Sequence, residues 1–163
     1  MSAFNVSLRL AGLRTWCAIA AACLGLATGA PAFAQAPGKK TAPAPDLVPI
    51  PSRILVGTVS VQNKGSADAG PFVVTVQCQK QGQQGGCAEH PDMAAYADPM
   101  YPNRLVVKVA SLQKGHVFNH ALPFWNKLVW PKGNYNFLVE ADPGKVVGET
   151  NEGNNIAGAV LKK

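Results

Sequence analysis

Trp130 to Asn155, WPKGNYNFLVEADPGKVVGETNEGNN, is the stretch whose reading decides the fold. Pro131 and Gly133 stop whatever precedes it. Tyr135, Phe137, Val139 and Ala141 then alternate with Asn134, Asn136, Leu138 and Glu140, the period of a strand with one buried face. Asp142, Pro143 and Gly144 close that strand, since these residues supply turn geometry and local hydrogen bonds. The polar run Glu149 to Asn155 predicts a second turn, leading into a last apolar segment, Ile156 to Leu161.

Upstream, the same period recurs between turn signals. Leu47 to Ile50 reads as an edge strand, because Pro45, Pro49 and Pro51 cannot donate to a ladder. Leu55, Gly57, Val59 and Val61 share one face opposite Val56, Thr58, Ser60 and Gln62, and Asn63, Lys64 and Gly65 make the turn. Phe72, Val74, Val76 and Cys78 lie opposite Val73, Thr75, Gln77 and Gln79. Ala88 to Asn103 has three prolines and no clean period, which predicts a long loop with a short helical turn at Met93 to Ala97; such loops tend to be functional or mobile. Leu105, Val107 and Val109 resume a strand, and His116 to Leu122 gives another. The sum is an all-β chain, an immunoglobulin-like antiparallel β-sandwich of about seven strands with one core. Tyr135-x-Phe137 suggests a tyrosine corner, with the phenol bonded to upstream backbone and Phe137 filling the space between sheets.

Residues 1–34 read as a secretory signal: Arg9 and Arg14, an apolar run from Trp16 to Ala27, and small residues at Ala32 and Ala34. The run is shorter than the roughly 20 residues that span a bilayer, so no transmembrane span is expected after cleavage. Cys23 only loosely resembles a lipobox. Gln35 to Pro45 reads as a Pro/Ala-rich linker, and the domain as 46–163. The net charge of +6 loses Arg9 and Arg14 with the signal, and the remaining excess is scattered, which gives nucleic-acid binding little support. The expected address is periplasm or secreted. Of four cysteines, Cys78 and Cys87 stay in the exported chain and are expected to oxidise, as a staple across a hairpin; their spacing is not that of a CxxC redox or metal pair.

No nucleophile elbow, catalytic cysteine or phosphate loop is present, so the reading is no enzyme and no cofactor. Asp142, Glu149 and Glu152 offer oxygens that could hold calcium, although Asx and Gly residues also bond their own backbone in turns, the favoured reading. His116 and His120, four apart on a strand, would be about 13 Å from each other, too far to share a metal. By parity His120 belongs at the core edge. The candidate binding surface is Tyr96, Met100, Tyr101 and Trp125, aromatic and thioether side chains on connections. If the segment is extended, Trp125 and Trp130 fall on opposite parities and at most one points inward.

Pro45-Asp46-Leu47-Val48, Val61-Gln62-Asn63-Lys64-Gly65 with Pro71-Phe72, Ser111-Leu112 with Gly115, and Gly133-Asn134-Tyr135 together resemble the CARDB family, the cell-adhesion-related domain of bacteria. The closing Asp142, Val147, Glu149, Asn151, Glu152, Asn154 and Asn155 are the most specific part of the resemblance, which runs from Pro45 to Lys163. It implies an immunoglobulin-like sandwich in an exported or surface protein, with adhesion or protein binding as the role and no catalytic residues. The cysteine pair and the loop after it depart from the pattern. The expected partner is an envelope protein or a glycan; the alternative is a carbohydrate- or calcium-binding module.

Overall fold

The structure is a computed structural model and describes residues 42–163 apart from residue 84. The expected signal, and the linker up to residue 41, lie outside the described residues. Among the described residues the strands are β1 (Leu47–Pro49), β2 (Thr58–Asn63), β3 (Phe72–Lys80), β4 (Leu105–Val109), β5 (Val117–Ala121), β6 (Asn134–Ala141) and β7 (Ile156–Lys162). They form two antiparallel sheets, ordered β1-β2-β5 and β4-β3-β6-β7. Ala44 and Pro45 already belong to the fold: Ser66 donates to the Ala44 carbonyl and Thr150 to that of Pro45, both at 2.9 Å.

β6 is central because its alternation lets one face go fully inward. Tyr135, Phe137, Val139 and Ala141 are all buried, and Phe137 stands opposite Cys78 on β3 and Ala159 on β7. Val59, Val61, Val74, Val76, Val107 and Val109 complete the apolar layer from both sheets. Removing such side chains from water is the main force holding the sheets together. The tyrosine corner is present: the Tyr135 hydroxyl donates to the Pro131 carbonyl at 2.5 Å. His120 sits at the core edge, 2.9 Å from the Tyr96 hydroxyl.

Four expectations are corrected. The strand foreseen from Leu55 begins only at Thr58, because Pro51–Val56 is a 3-10 turn with proline in its first positions, ended by Gly57 at φ +76°. Proline presets the helical φ and glycine accepts the left-handed cap. The side chains therefore rotate about the turn, burying Ile54 and leaving Val56 68% exposed. A Cβ on Gly57 would also stand 2.2 Å from the Trp125 ring. Second, Thr75 is only 1% exposed although its parity points outward. Arg104 lies over it, donating to the Thr75 hydroxyl at 3.2 Å and to Glu140 at 2.5 Å.

Third, the disulfide Cys78–Cys87, with 6.2 Å between Cα atoms, does not cross a hairpin. Cys87 is not in a strand; the glycine-rich loop curls back on β3, with Lys80 donating to the Gly85 carbonyl at 3.0 Å, and the bond pins that loop to the end of β3. Fourth, the segment around Trp125 is not extended but a 3-10 turn, Trp125–Lys127. Both tryptophans consequently turn onto the core, 5.4 Å apart by ring centroids and 5.6 and 5.9 Å from Phe137.

Candidate binding cleft and the polar turn

The β6–β7 connection starts at Asp142, in the left-handed region with φ +46°. Aspartate tolerates that geometry because its short carboxylate can bond the chain ahead. Here it accepts from the amides of Val146 at 3.2 Å and Val147 at 2.7 Å, while its carbonyl accepts from Lys145 at 2.9 Å. That loop buries Val147 in the core. Glu149 accepts from the Leu47 amide and, at 2.7 Å, from the Asn155 side chain. Thr150 reaches Pro45, and the Asn154 amide donates to Asp46 at 2.8 Å. The turn therefore clasps the start of β1 and joins the two sheets.

Burial raises the Glu149 carboxyl above its ordinary value, and the hydrogen bonds from Leu47 and Asn155 only partly oppose this. Glu152 is exposed, one of its oxygens accepting from the Glu149 amide at 3.3 Å. The expected calcium candidates Asp142, Glu149 and Glu152 are thus engaged with the chain's own donors, and no group of three or more His, Cys, Asp or Glu able to hold a metal occurs among the described residues.

A different kind of place lies at the far end of β3. β4 pairs with β3 only as far as Leu105 opposite Val76, so the remainder of β3 has one side without a strand. Chain from the disulfide loop and from the 3-10 turn Pro91–Tyr96 walls this gap, leaving a cleft of about 840 Å³. Phe124, Trp125, Trp130 and Phe137 form its apolar lining; Glu89, His90, Asn103 and Arg104 stand around it. An aromatic surface with a few polar groups is the usual make-up of a recognition site. The wall is held locally. His90 Nδ1 accepts from the Asp92 amide at 3.2 Å, and Lys127 bonds Asp92 at 2.9 Å and lowers its carboxyl below the ordinary value.

Of the four expected surface residues, only Trp125 lines the cleft. Tyr96 packs edge-on against Phe124 at 5.5 Å and His120 at 5.7 Å. Tyr101 is half-buried with its hydroxyl toward Gly144, and Met100 is 75% exposed. The structure does not gather them into one patch. Arg104, Gln77 and Gln79 carried no signal in the sequence, because their place at the cleft depends on where β4 stops.

Among solved structures, the chain is similar to a domain of a candidate cell surface protein from Methanosarcina acetivorans, with 20% identity, TM-score 0.48, and 74% of this chain and 92% of that one covered. It is also similar to the CARDB domain of a Pyrococcus furiosus protein in complex with di-metal ions, with 17% identity, TM-score 0.41, and 73% and 93% covered. No curated protein matches it. The CARDB family profile matches residues 48–159, from β1 into β7, and this chain belongs to the CARDB family.

Proposed function

We propose that this chain is a non-enzymatic, exported domain that binds another macromolecule at the cell envelope, in the periplasm or outside the cell, and that the cleft beside the disulfide is where it does so. The observation that carries this reading is the aromatic lining of the cleft, Trp125 and Trp130 over Phe137, set beside Glu89, His90 and Arg104. CARDB domains are cell-surface, adhesion-related modules, which supports the envelope as the setting. The preferred partner is a protein, since a partly covered apolar surface flanked by polar groups suits a peptide segment.

Gln79→Arg and Glu89→Arg put bulky charge at exposed positions of the cleft wall without touching the core. Retention of envelope proteins by the exported chain is expected to fall at least tenfold in both variants; unchanged retention of every partner rejects the cleft as the site. The alternative, a glycan-binding module, is favoured by the tryptophan faces, which stack on sugar rings as they do on side chains. A shift of tryptophan emission with a purified glycan, abolished in the same variants, would select it.

A further inference from the structure

The sheet edges of this molecule are not treated alike. β1 has three residues, ends in Pro49, and has its Leu47 amide taken by Glu149. β4 and β5 have five residues each, and β4 carries Lys108. β7 is the longest edge, with seven residues, IAGAVLK, and no charge or proline before Lys162. Natural edges are usually protected by charge, proline or a covering segment. The Pro51–Val56 turn packs beside β7, but beyond its pairing with β6 the strand has no backbone hydrogen-bond partner among the described residues.

The direction of the free groups follows from the ladder. Lys163 and Gly133 exchange both hydrogen bonds, at 3.0 and 2.9 Å, and at the other end Ala141 donates to Asn155 at 2.8 Å. Antiparallel pairs alternate between bonded and non-bonded, so Ile156, Gly158, Val160 and Lys162 turn their N–H and C=O away from β6, toward the edge. Their side chains share the outer face, where Ile156 is 53% and Val160 48% exposed. Between them Gly158 leaves a groove of about 550 Å³ lined by Gln77, Gln79, Asn136, Leu138 and Val160. A Cβ there would meet nothing closer than the Phe137 carbonyl at 3.4 Å.

We infer that β7 is a homotypic edge: two copies of this chain pair β7 to β7, antiparallel about Ala159, into one continuous sheet. This register puts Val160 of each copy opposite Gly158 of the other and Ile156 opposite Lys162, and every such pair has its free groups facing its partner. Val160 of one copy fills the space over Gly158 of the next. Charge is self-complementary as well, because Lys162 and Lys163 at one end of the strand come beside the turn that carries Glu152 at the other end. Each chain has a single β7, so the two-fold contact closes as a dimer and does not propagate. One strand pair is a small interface, at the low end of specific contacts; the association is weak and becomes effective where copies are crowded on a surface.

The test is sedimentation of the exported chain from low concentration to about 1 mM, with Val160→Lys, Gly158→Glu and the double variant alongside. Each single substitution lies on the exposed face and is expected to weaken dimerisation at least tenfold while far-UV circular dichroism stays native. The double variant sets opposite charges across both symmetry-related pairs and is expected to restore it. On the native chain, amide exchange at Ile156, Gly158, Val160 and Lys162 is expected to slow as concentration rises, a readout that stands even if a variant fails to fold. A chain that remains monomeric at about 1 mM, a dimer indifferent to Val160→Lys, or exchange at these four amides that ignores concentration overturns the inference.

Discussion

The connection from Asp142 to Asn155 and the loop from Ala88 to Asn103 look alike as sequence: both are long, polar and broken by turn residues. They have opposite fates. In the first, Asp142, Glu149, Thr150 and Asn154 all bond backbone or side chains of their own fold, and Val147 enters the core. In the second, proline spacing gives an isolated 3-10 turn, and the long-range ties are few: Asp92 to Lys127 and Tyr96 to His120. One connection holds the sandwich shut, although the buried Asn154 and Asn155 side-chain oxygens in it have no hydrogen-bond partner, and the other sets polar groups at the wall of a cleft. Glu149 and Asn154 tie their connection to distant parts of the fold, whereas His90 and Asp98 accept from amides two residues ahead in their own loop.

The largest effect that would break this contrast is at Asp142. Asp142→Ala leaves the amides of Val146 and Val147 without their acceptor and puts alanine at a left-handed φ, a loss of about 2–4 kcal/mol. Asp142→Asn, which keeps an acceptor and tolerates the geometry, is expected to lose clearly less. Urea unfolding measures both, and a negligible loss for Asp142→Ala removes the clasp. Next, replacing Cys78 and Cys87 together by alanine is expected to cost about 2–3 kcal/mol by the chain-entropy estimate. Hydrogen exchange should quicken in residues 85–97 and leave the Asp142 turn protected; equal quickening in both would show that the two regions are not independent.

The smallest effect is one of pH. Burial raises the Glu149 carboxyl in the folded chain, so the folded state holds this proton more tightly than the unfolded chain does. Its stabilising contribution is complete below the ordinary glutamate value and fades as pH rises through the folded one. Compared with Glu149→Gln, the native chain is therefore expected to gain stability on acidification from neutral pH toward about pH 4. The partial exposure of the group keeps the difference small. Melting temperatures of the pair that run parallel across this window would mean a fully solvated carboxylate.

β6 was legible because a strict alternation of large apolar and polar residues admits one structure in a sheet, and the Tyr135 bond to Pro131 followed from it. The strand foreseen from Leu55 failed where alternation was carried by Leu55 and Gly57. Pro51 at the start and Gly57 at the end favour a helical turn more strongly than two apolar residues favour a strand. Trp125 and Trp130 failed for a related reason: parity holds only in extended chain, and a 3-10 turn brought both rings to Phe137. The cleft was not legible. It exists because the β3–β4 ladder ends at Val76 opposite Leu105 while β3 continues to Lys80.

Period, turn chemistry and the cysteine pair were sufficient to determine a seven-stranded sandwich and its disulfide, because each of these depends on neighbours a few residues apart. Which polar connection closes the fold, which one faces a cleft, and which edge keeps its backbone groups unpaired were decided only by tertiary structure. Those outcomes depend on where the ends of strands distant in sequence meet, and on which donors are already satisfied when they do.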